Sequence, residues 1–309
     1  MKKDIKSLIF KYRAVFVLII LCLVLSIMTP RFIGISNIMN VLTQISVNAI
    51  IAIGMTCVIL TGGIDLSVGS VVAIAGAVTA SLVKSNVSIL IALLVALAIG
   101  SLIGLFNGAV ISKMKIQPFI VTLSTMSILR GVTYVYTNGI PISGLSSGFM
   151  FIGNYRFLEV PFPVFIVILI FLITWYVINQ TRFGRYVYAL GGNEDSARLT
   201  GINTDSVKTI VYILSGVFAA ISGVIVTSRI GSASPNAGSG YEMDAIAAVV
   251  LGGTSMAGGE GTIIGSIIGA MIIGVLNNGL NLLNVSPFYQ SIVKGVVILL
   301  AVMMDKKNK

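Results

Sequence analysis

The sequence predicts an all-α polytopic membrane protein of about ten transmembrane helices, with both termini in the cytoplasm. Three observations carry this prediction. First, of the 309 residues 56% are hydrophobic and only 10% are charged, whereas a soluble domain carries about 25% charged residues. A soluble fold of this length must clothe its surface in charge, and twenty Lys and Arg with ten Asp and Glu cannot do so. The mean hydropathy of +1.03 therefore describes a chain solvated mostly by lipid. Second, the chain divides into apolar runs close to the length that crosses about 30 Å of hydrocarbon. Third, the basic residues cluster at the ends of these runs, which is how charge anchors helices at an anionic membrane face. The net charge of +10 thus points to membrane lipid rather than nucleic acid.

Span 1 covers roughly 13–29. The basic opening MKKDIKSLIFKYR and the apolar AVFVLIILCLVLSIM have the outline of a signal peptide. The apolar stretch is long, however, and leads to Thr29-Pro30-Arg31-Phe32 rather than to a small-residue cleavage site, so it reads as an uncleaved span. Span 2, roughly 39–60, carries Asn40, Gln44 and Asn48 four apart on one stripe. Such a stripe should face other helices or a wet path. Spans 3 and 4 cover roughly 66–84 and 88–112. Span 5, roughly 117–137, holds Gln117, Thr122, Ser124, Thr125, Ser127 and the single charge Arg130. Span 6, roughly 161–179, is the most uniformly apolar and should meet lipid. The polar segment after it cannot lie in lipid and forms a loop to about 208. Spans 7 to 10 cover roughly 209–228, 244–256, 262–284 and 287–304, and span 8 is short, ending in Leu251-Gly252-Gly253-Thr254.

Ten spans with the first residue inside place four basic residues outside: Arg31, Lys84, Arg156 and Arg229. Arg130 and Lys294 fall within spans, and the other fourteen of the twenty lie inside. That bias fits the positive-inside rule, whereas eleven spans would put the basic tail outside.

Two Gly-interrupted segments, 61–69 and 251–261, each join a polar-striped helix to one rich in Gly and Ala, which hints at an internal duplication. In span 9, Gly261, Gly265 and Gly269 repeat every four residues and present a small face for close helix packing or for a sliding seam. Asp65, Arg130 and Lys294 lie in or beside spans, and Glu242 and Asp244 open span 8. Charge there needs a partner or water, so these residues form either structural ion pairs or a polar path. Asp65, beside Ser67, also suits a helix N-cap. Asn277 and Asn278 cannot both face lipid cheaply, and pair between helices or line a pore. The candidates for a translocation path are Gln44, Asn48, Asp65, Ser124, Arg130, Glu242, Asn277 and Asn278.

The absence of His removes His bases, Ser-His triads and His metal sites. Cys22 and Cys57 sit singly in apolar runs, and no phosphate-cradling G-x-x-x-x-G-K-[ST] occurs. The expectation is a non-enzymatic chain with no catalytic residues, no metal and no cofactor of its own. In the polar segment Asn193 suits an N-cap, Glu194 and Asp195 follow in a first turn, and Gly201 suits the closing position. A short helix capped at both ends fits a groove on a partner; a plain solvated loop is the other reading.

Four strings resemble the permease subunit of ribose-type ABC importers, the carbohydrate-uptake class. They are LTGGIDLSVGS at 60–70, QPFIVTLSTMSILRGVTYVYTNGIPI at 117–142, GGNEDSARLTGINTDSVK at 191–208 and SGYEMDAIAAVVLGGTSMAGGEGTIIGSIIGA at 239–270. The resemblance covers nearly the whole chain and implies one permease domain, 1–309, with a cytoplasmic coupling loop at about 180–208. It implies a second permease copy, making a homodimer, and an extracytoplasmic sugar-binding protein. It also implies two ATP-binding cassette ATPase subunits carrying the ATP and Mg. Residues 191–204 become the coupling helix, with Gly191, Gly192, Asn193, Ala197, Arg198, Gly201 and Ile202 as contact residues and Arg198 the first choice for an ion pair with the ATPase. The substrate would be ribose or a similar pentose. Nucleoside ABC permeases share parts of the pattern. An ion-coupled secondary carrier also fits ten spans, but the absence of His and the scarcity of mid-span carboxylates speak against a proton relay.

Overall fold

In lipid, backbone N–H and C=O groups must be satisfied within the chain, which a helix does segment by segment. The computed structural model describes residues 13–306, and all ten apolar runs are helical in it. Lys2, Lys3, Lys6, Lys11, Lys307 and Lys309, counted above on the inner side, lie outside the described residues.

The helices are α1 (Arg13–Met28), α2 (Ile35–Leu60), α3 (Val68–Lys84), α4 (Ile89–Met114), α5 (Pro118–Thr137), α6 (Ser147–Asn154) and α7 (Phe162–Gln180). They continue as α8 (Arg182–Gly192), α9 (Glu194–Leu199), α10 (Thr204–Ile230), α11 (Tyr241–Leu251), α12 (Ile263–Leu282) and α13 (Pro287–Lys306). A 3-10 turn, Pro30–Ile33, joins α1 to α2. Two small antiparallel pairs complete the described chain. β1 (Ile142–Ser143) pairs with β4 (Ser232–Ala233), and β2 (Arg156–Phe157) pairs with β3 (Val160–Pro161).

Among the described residues, six helices are long and apolar enough to cross a membrane: α2, α4, α5, α7, α10 and α12. Within α1, α3 and α13 lie shorter apolar stretches. The expectation for span 8 is corrected. Its helix, α11, has 11 residues, about 16 Å at 1.5 Å per residue, roughly half the hydrocarbon thickness. Irregular backbone carries the chain on at both its ends: 234–240 before it and the Gly-rich turn 252–262 after it.

The polar segment is also more ordered than a loop. It folds into α8 and α9, and α10 starts at Thr204 rather than 209, because the Asn203 side chain caps it by accepting from Ser206 N–H at 3.0 Å. α9 begins at Asn193, whose side chain accepts from Ser196 N–H at 2.8 Å, and Gly201 follows it in the left-handed region at φ +87°.

α2 is the central post. From Ile45 to Leu60 every residue is buried, enclosed by α7, α10, α11 and α12. A helix buried all round shows no amphipathic period, which is why α2 reads only as a run with a polar stripe. α7 is the opposite case. It buries Val167, Ile170, Thr174 and Ile178 on one face and exposes Ile168, Leu169, Leu172 and Ile173 on the other, as a lipid-facing helix should. The most extensive seam joins α10 to α4. Gly100, Gly104 and Gly108, four apart on α4, lie directly against the α10 backbone at Gly216, Tyr212 and Thr209. Small residues at this spacing let two backbones approach closely.

α3 and α11 meet inside the bundle. The start of α3 at Gly69 abuts Gly238 and the Glu242 carboxylate at the start of α11. α12 packs on α11 in turn, with Gly265 against Gly252 and Gly269 against the Ala248 backbone. Of the three Gly residues read as one face of span 9, Gly261 precedes the helix and packs on Thr254.

Candidate functional site

Three assemblies stand out, one in the interior and one at each pole. The first is sealed. Asp65 is 1% exposed. Its carboxylate accepts from Ser67 N–H at 3.0 Å, from Ser67 Oγ at 2.6 Å and from Ser215 Oγ of α10 at 2.8 Å. Ser67 Oγ accepts in turn from Asn107 Nδ2 of α4, and Asn107 Oδ1 accepts from Thr125 Oγ1 of α5. One network thus ties the 61–67 segment to three helices, and every member is buried. Buried polar groups persist because they are hydrogen-bonded. Ser67 stands at the N-cap position of α3, so the expected cap is displaced by two residues: Asp65 accepts the N–H of the cap residue itself.

The second assembly lies at one pole, where the end of α2, the end of α8 and the turn after α11 converge. Gly259 N–H donates to Leu60 O at 3.0 Å. Gly191 packs on both of these groups, and Gly258 sits against Gly62. The two Gly-rich segments therefore touch one another, and the end of α8 touches both. From this junction α9 projects outward. It buries Ala197 and exposes Leu199 at 89%. Arg198 is engaged at home: it lies 2.7 Å from Asp205 and 3.5 Å from Glu194, and donates to Thr204 Oγ1. Lys208 pairs with Glu194 at 2.5 Å. These pairs are partly exposed, so they contribute little stability, but they tie α9 to the first turn of α10.

The third assembly, at the opposite pole, surrounds a cavity of about 390 Å³. Asn37, Asn40, Thr43 and Gln44 of α2 form one wall, and Asn278 and Asn281 of α12 face them. Asn154 at the end of α6, Arg156 of β2 and Arg229 at the end of α10 complete the rim. Asn37 and Asn278 bond reciprocally, amide to amide, at 3.0 and 2.8 Å.

A family model described as "Branched-chain amino acid transport system / permease component" matches residues 37–302. The chain belongs to this permease family. It is 53% identical over 308 residues to the ribose import permease protein of Escherichia coli, covering 98% of this chain and 96% of that one. It is 51% identical over 293 residues to the ribose import permease protein of Bacillus subtilis, covering 94% and 91%. To the galactose/methyl galactoside import permease protein of Escherichia coli it is 39% identical over 311 residues, covering 94% and 92%. No solved structure matches it significantly. The resemblance drawn from the four strings is borne out over nearly the full length, and the permease is a multi-pass membrane protein and a transport component.

The permease places its expected path residues in separate locations. Gln44 and Asn278 share the amide-lined cavity, and Asn48, 9% exposed, lies one turn further along α2. Asp65 is in the sealed network. Ser124 sits on the exposed face of α5. Arg130 pins the 234–240 segment by donating to the carbonyls of Pro235 and Ala237 at 2.8 and 2.9 Å. Glu242 accepts from Gly240 N–H through Oε1 and leaves Oε2 buried without a hydrogen-bond partner. Asn277 donates to Asp244, which also pairs with Lys294 at 3.0 Å. Among the expected coupling residues, Gly191 lies in the glycine junction, Gly192 beside it is exposed, and Asn193, Ala197, Arg198, Gly201 and Ile202 follow in or around α9.

Sequence reasoning passed over Asn37, Thr43, Asn154, Arg156 and Arg229. They come from four separate segments, and only Asn37, Thr43 and the stripe on α2 share a helix, so spacing carries no signal for the rest. The same reasoning also passed over Gly100, Gly104 and Gly108, whose four-residue spacing is the signal read in span 9.

The Asp244–Lys294 pair makes a quantitative expectation possible. Asp244 is 5% exposed at its side chain and Lys294 27%. Lys294→Met leaves a buried carboxylate unpaired, and breaking such a pair costs about 3 kcal/mol or more. The double change Asp244→Asn with Lys294→Met should recover a large part of that loss. Thermal unfolding of the three variants in detergent reads the difference directly.

Proposed function

We propose that this permease is the membrane subunit of an ATP-binding cassette importer that passes a monosaccharide, ribose or a similar pentose, into the cytoplasm. The observation that carries the reading is identity of 50–53% over nearly the whole chain to ribose import permeases, against 39% to those for allose and galactose. The chain acts as one permease unit of about ten passes with both ends in the cytoplasm. The pole bearing α9 then lies inside with Lys113, Lys115, Arg182, Arg185 and Lys208, as the positive-inside rule favours. The pole bearing the amide-lined cavity lies outside, where an extracytoplasmic binding protein delivers the sugar. A second copy packs against α5. That helix is the least apolar of the six candidate spans, yet largely exposed, and carries Ser124, Ser127 and Gly131 on its open side.

ATP binding and hydrolysis take place on two partner ATPases, which meet α9. Because Arg198, Glu194, Asp205 and Lys208 tie α9 to the start of α10, a push on α9 enters the longest helix, and that helix packs on α2, α3 and α4. The same push reaches the two Gly-rich segments through Gly191. ATP binding thus favours one permease state over another.

Arg198→Glu reverses one sign of this tie and faces Glu194 and Asp205 with like charge. In the reconstituted complex it should cut sugar-stimulated ATPase and uptake about tenfold, within the range of an allosteric coupling energy. Survival of both activities at wild-type level removes Arg198 from the coupling role.

A further inference from the structure

The geometry points to a monosaccharide-holding site inside each single permease chain, in the cavity between α2 and α12. This rests on the monosaccharide reading above and deepens it: the sugar pauses in a built pocket of one chain before it enters the passage.

The cavity's size of about 390 Å³ falls within the usual range for small-molecule sites. Its chemistry selects the ligand. No carboxylate lines it and two arginines do, so its charge disfavours a cation. No aromatic ring lines it either, and the apolar contribution is one proline, Pro161, so neither a nucleobase nor a lipid chain finds a surface to stack or bury against. What remains is a set of amides, a hydroxyl and two guanidinium groups. Such groups match a ligand that carries many hydroxyls, each both donor and acceptor.

The lining groups are oriented in advance. Asn154 spends its Nδ2 on the carbonyls of Met150, Ser228 and Arg229, which leaves Oδ1 as a fixed acceptor. Asn281 accepts from Gln290 Nε2 through Oδ1, which leaves Nδ2 as a fixed donor on the opposite wall. Thr43 donates to Met39 O and keeps its lone pairs. The reciprocal Asn37–Asn278 pair, with Asn37 also donating to Phe32 O, holds the two helices at their spacing. Between these fixed groups, Asn40 and Gln44 make no side-chain hydrogen bond to any described residue and keep their full capacity for a ligand. A site with satisfied walls and unsatisfied centre costs little reorganisation on binding.

The test uses the full permease with its ATPase partners in two preparations: lipid nanodiscs without the binding protein, with D-ribose as the probe, for ligand binding, and proteoliposomes with the binding protein for uptake. Saturation-transfer NMR should detect D-ribose on the wild-type complex. Gln44→Leu should lose that signal and cut uptake with the binding protein about tenfold, the equivalent of one lost hydrogen bond. Asn40→Ala, a change at an exposed position that cannot prevent folding, should weaken both readouts in the same direction and carries the test if Gln44→Leu fails to assemble. Wild-type ribose signal and wild-type uptake in the variants overturn the site while leaving the monosaccharide reading intact. A wild-type complex that takes up neither D-ribose nor D-galactose overturns the reading, and the site with it.

Discussion

Asp65→Leu should prevent the permease from accumulating as a folded protein. The substitution removes the acceptor of three hydrogen bonds, from Ser67 N–H, Ser67 Oγ and Ser215 Oγ. Each donor left unpaired in a buried site costs about 1–3 kcal/mol. The sum, about 3–9 kcal/mol, is a large share of a typical folding free energy of about 5–15 kcal/mol. Asp65→Asn is the informative contrast. Its Oδ1 still accepts from Ser67, and its Nδ2 donates to Ser215, whose hydroxyl can turn to accept. Asn should therefore cost much less than Leu, although both remove the charge. Expression level and thermal unfolding in detergent separate the two. Equal damage from both would mean that charge, not acceptor count, is what the network needs.

Gly104→Leu should be equally severe by a different route. A Cβ at Gly104 would collide with the Tyr212 carbonyl oxygen and lie 2.7 Å from Ile213 Cα. Both are backbone atoms of α10, so no flexible side chain can yield. The helices must separate along the whole seam, losing contacts around Gly100, Gly108 and Gly216 as well. Overpacking of a tight core typically costs about 1–3 kcal/mol, and here a rigid backbone on both sides puts the cost at the upper end or beyond. Gly295→Ala on α13 is the control, since nothing lies within 4 Å of its added Cβ. The glycine-to-alanine change there should leave the fold intact, and size-exclusion profiles of the two variants should differ sharply.

How far the fold was readable depended on which property each element expresses. Apolar runs find helices because lipid solvates them, and Asn193 and Gly201 bound α9 because capping is a local interaction. Depth is not local. Span 8 reads as short because Gly252 and Gly253 interrupt it, but how far short does not show: α11 covers only about half a span. Nothing in the residues of α11 distinguishes a short helix inside the bundle from a crossing helix with an uncertain end. Asp65 shows a second limit. A sealed hydrogen-bond network and a wet passage both place polar side chains among apolar ones, and only the partners Ser67, Asn107, Thr125 and Ser215 tell them apart. Arg198 shows a third: an exposed charge looks available until Asp205, seven residues on, is found beside it. The amide-lined cavity draws on segments as distant as Asn37 and Asn281, which no spacing rule connects.

The meeting of α3 and α11 has an electrostatic consequence. Each helix presents its amino-terminal end to the other, and each such end carries roughly half a positive charge from its aligned peptide dipoles. Two like ends face one another where water is scarce. The chain has only ten acidic residues, yet Asp65 stands beside the start of α3, and Glu242 and Asp244 occupy the first turn of α11. Carboxylates that look out of place in an apolar sequence are counter-charges to the backbone itself, and their location follows from where two helices begin.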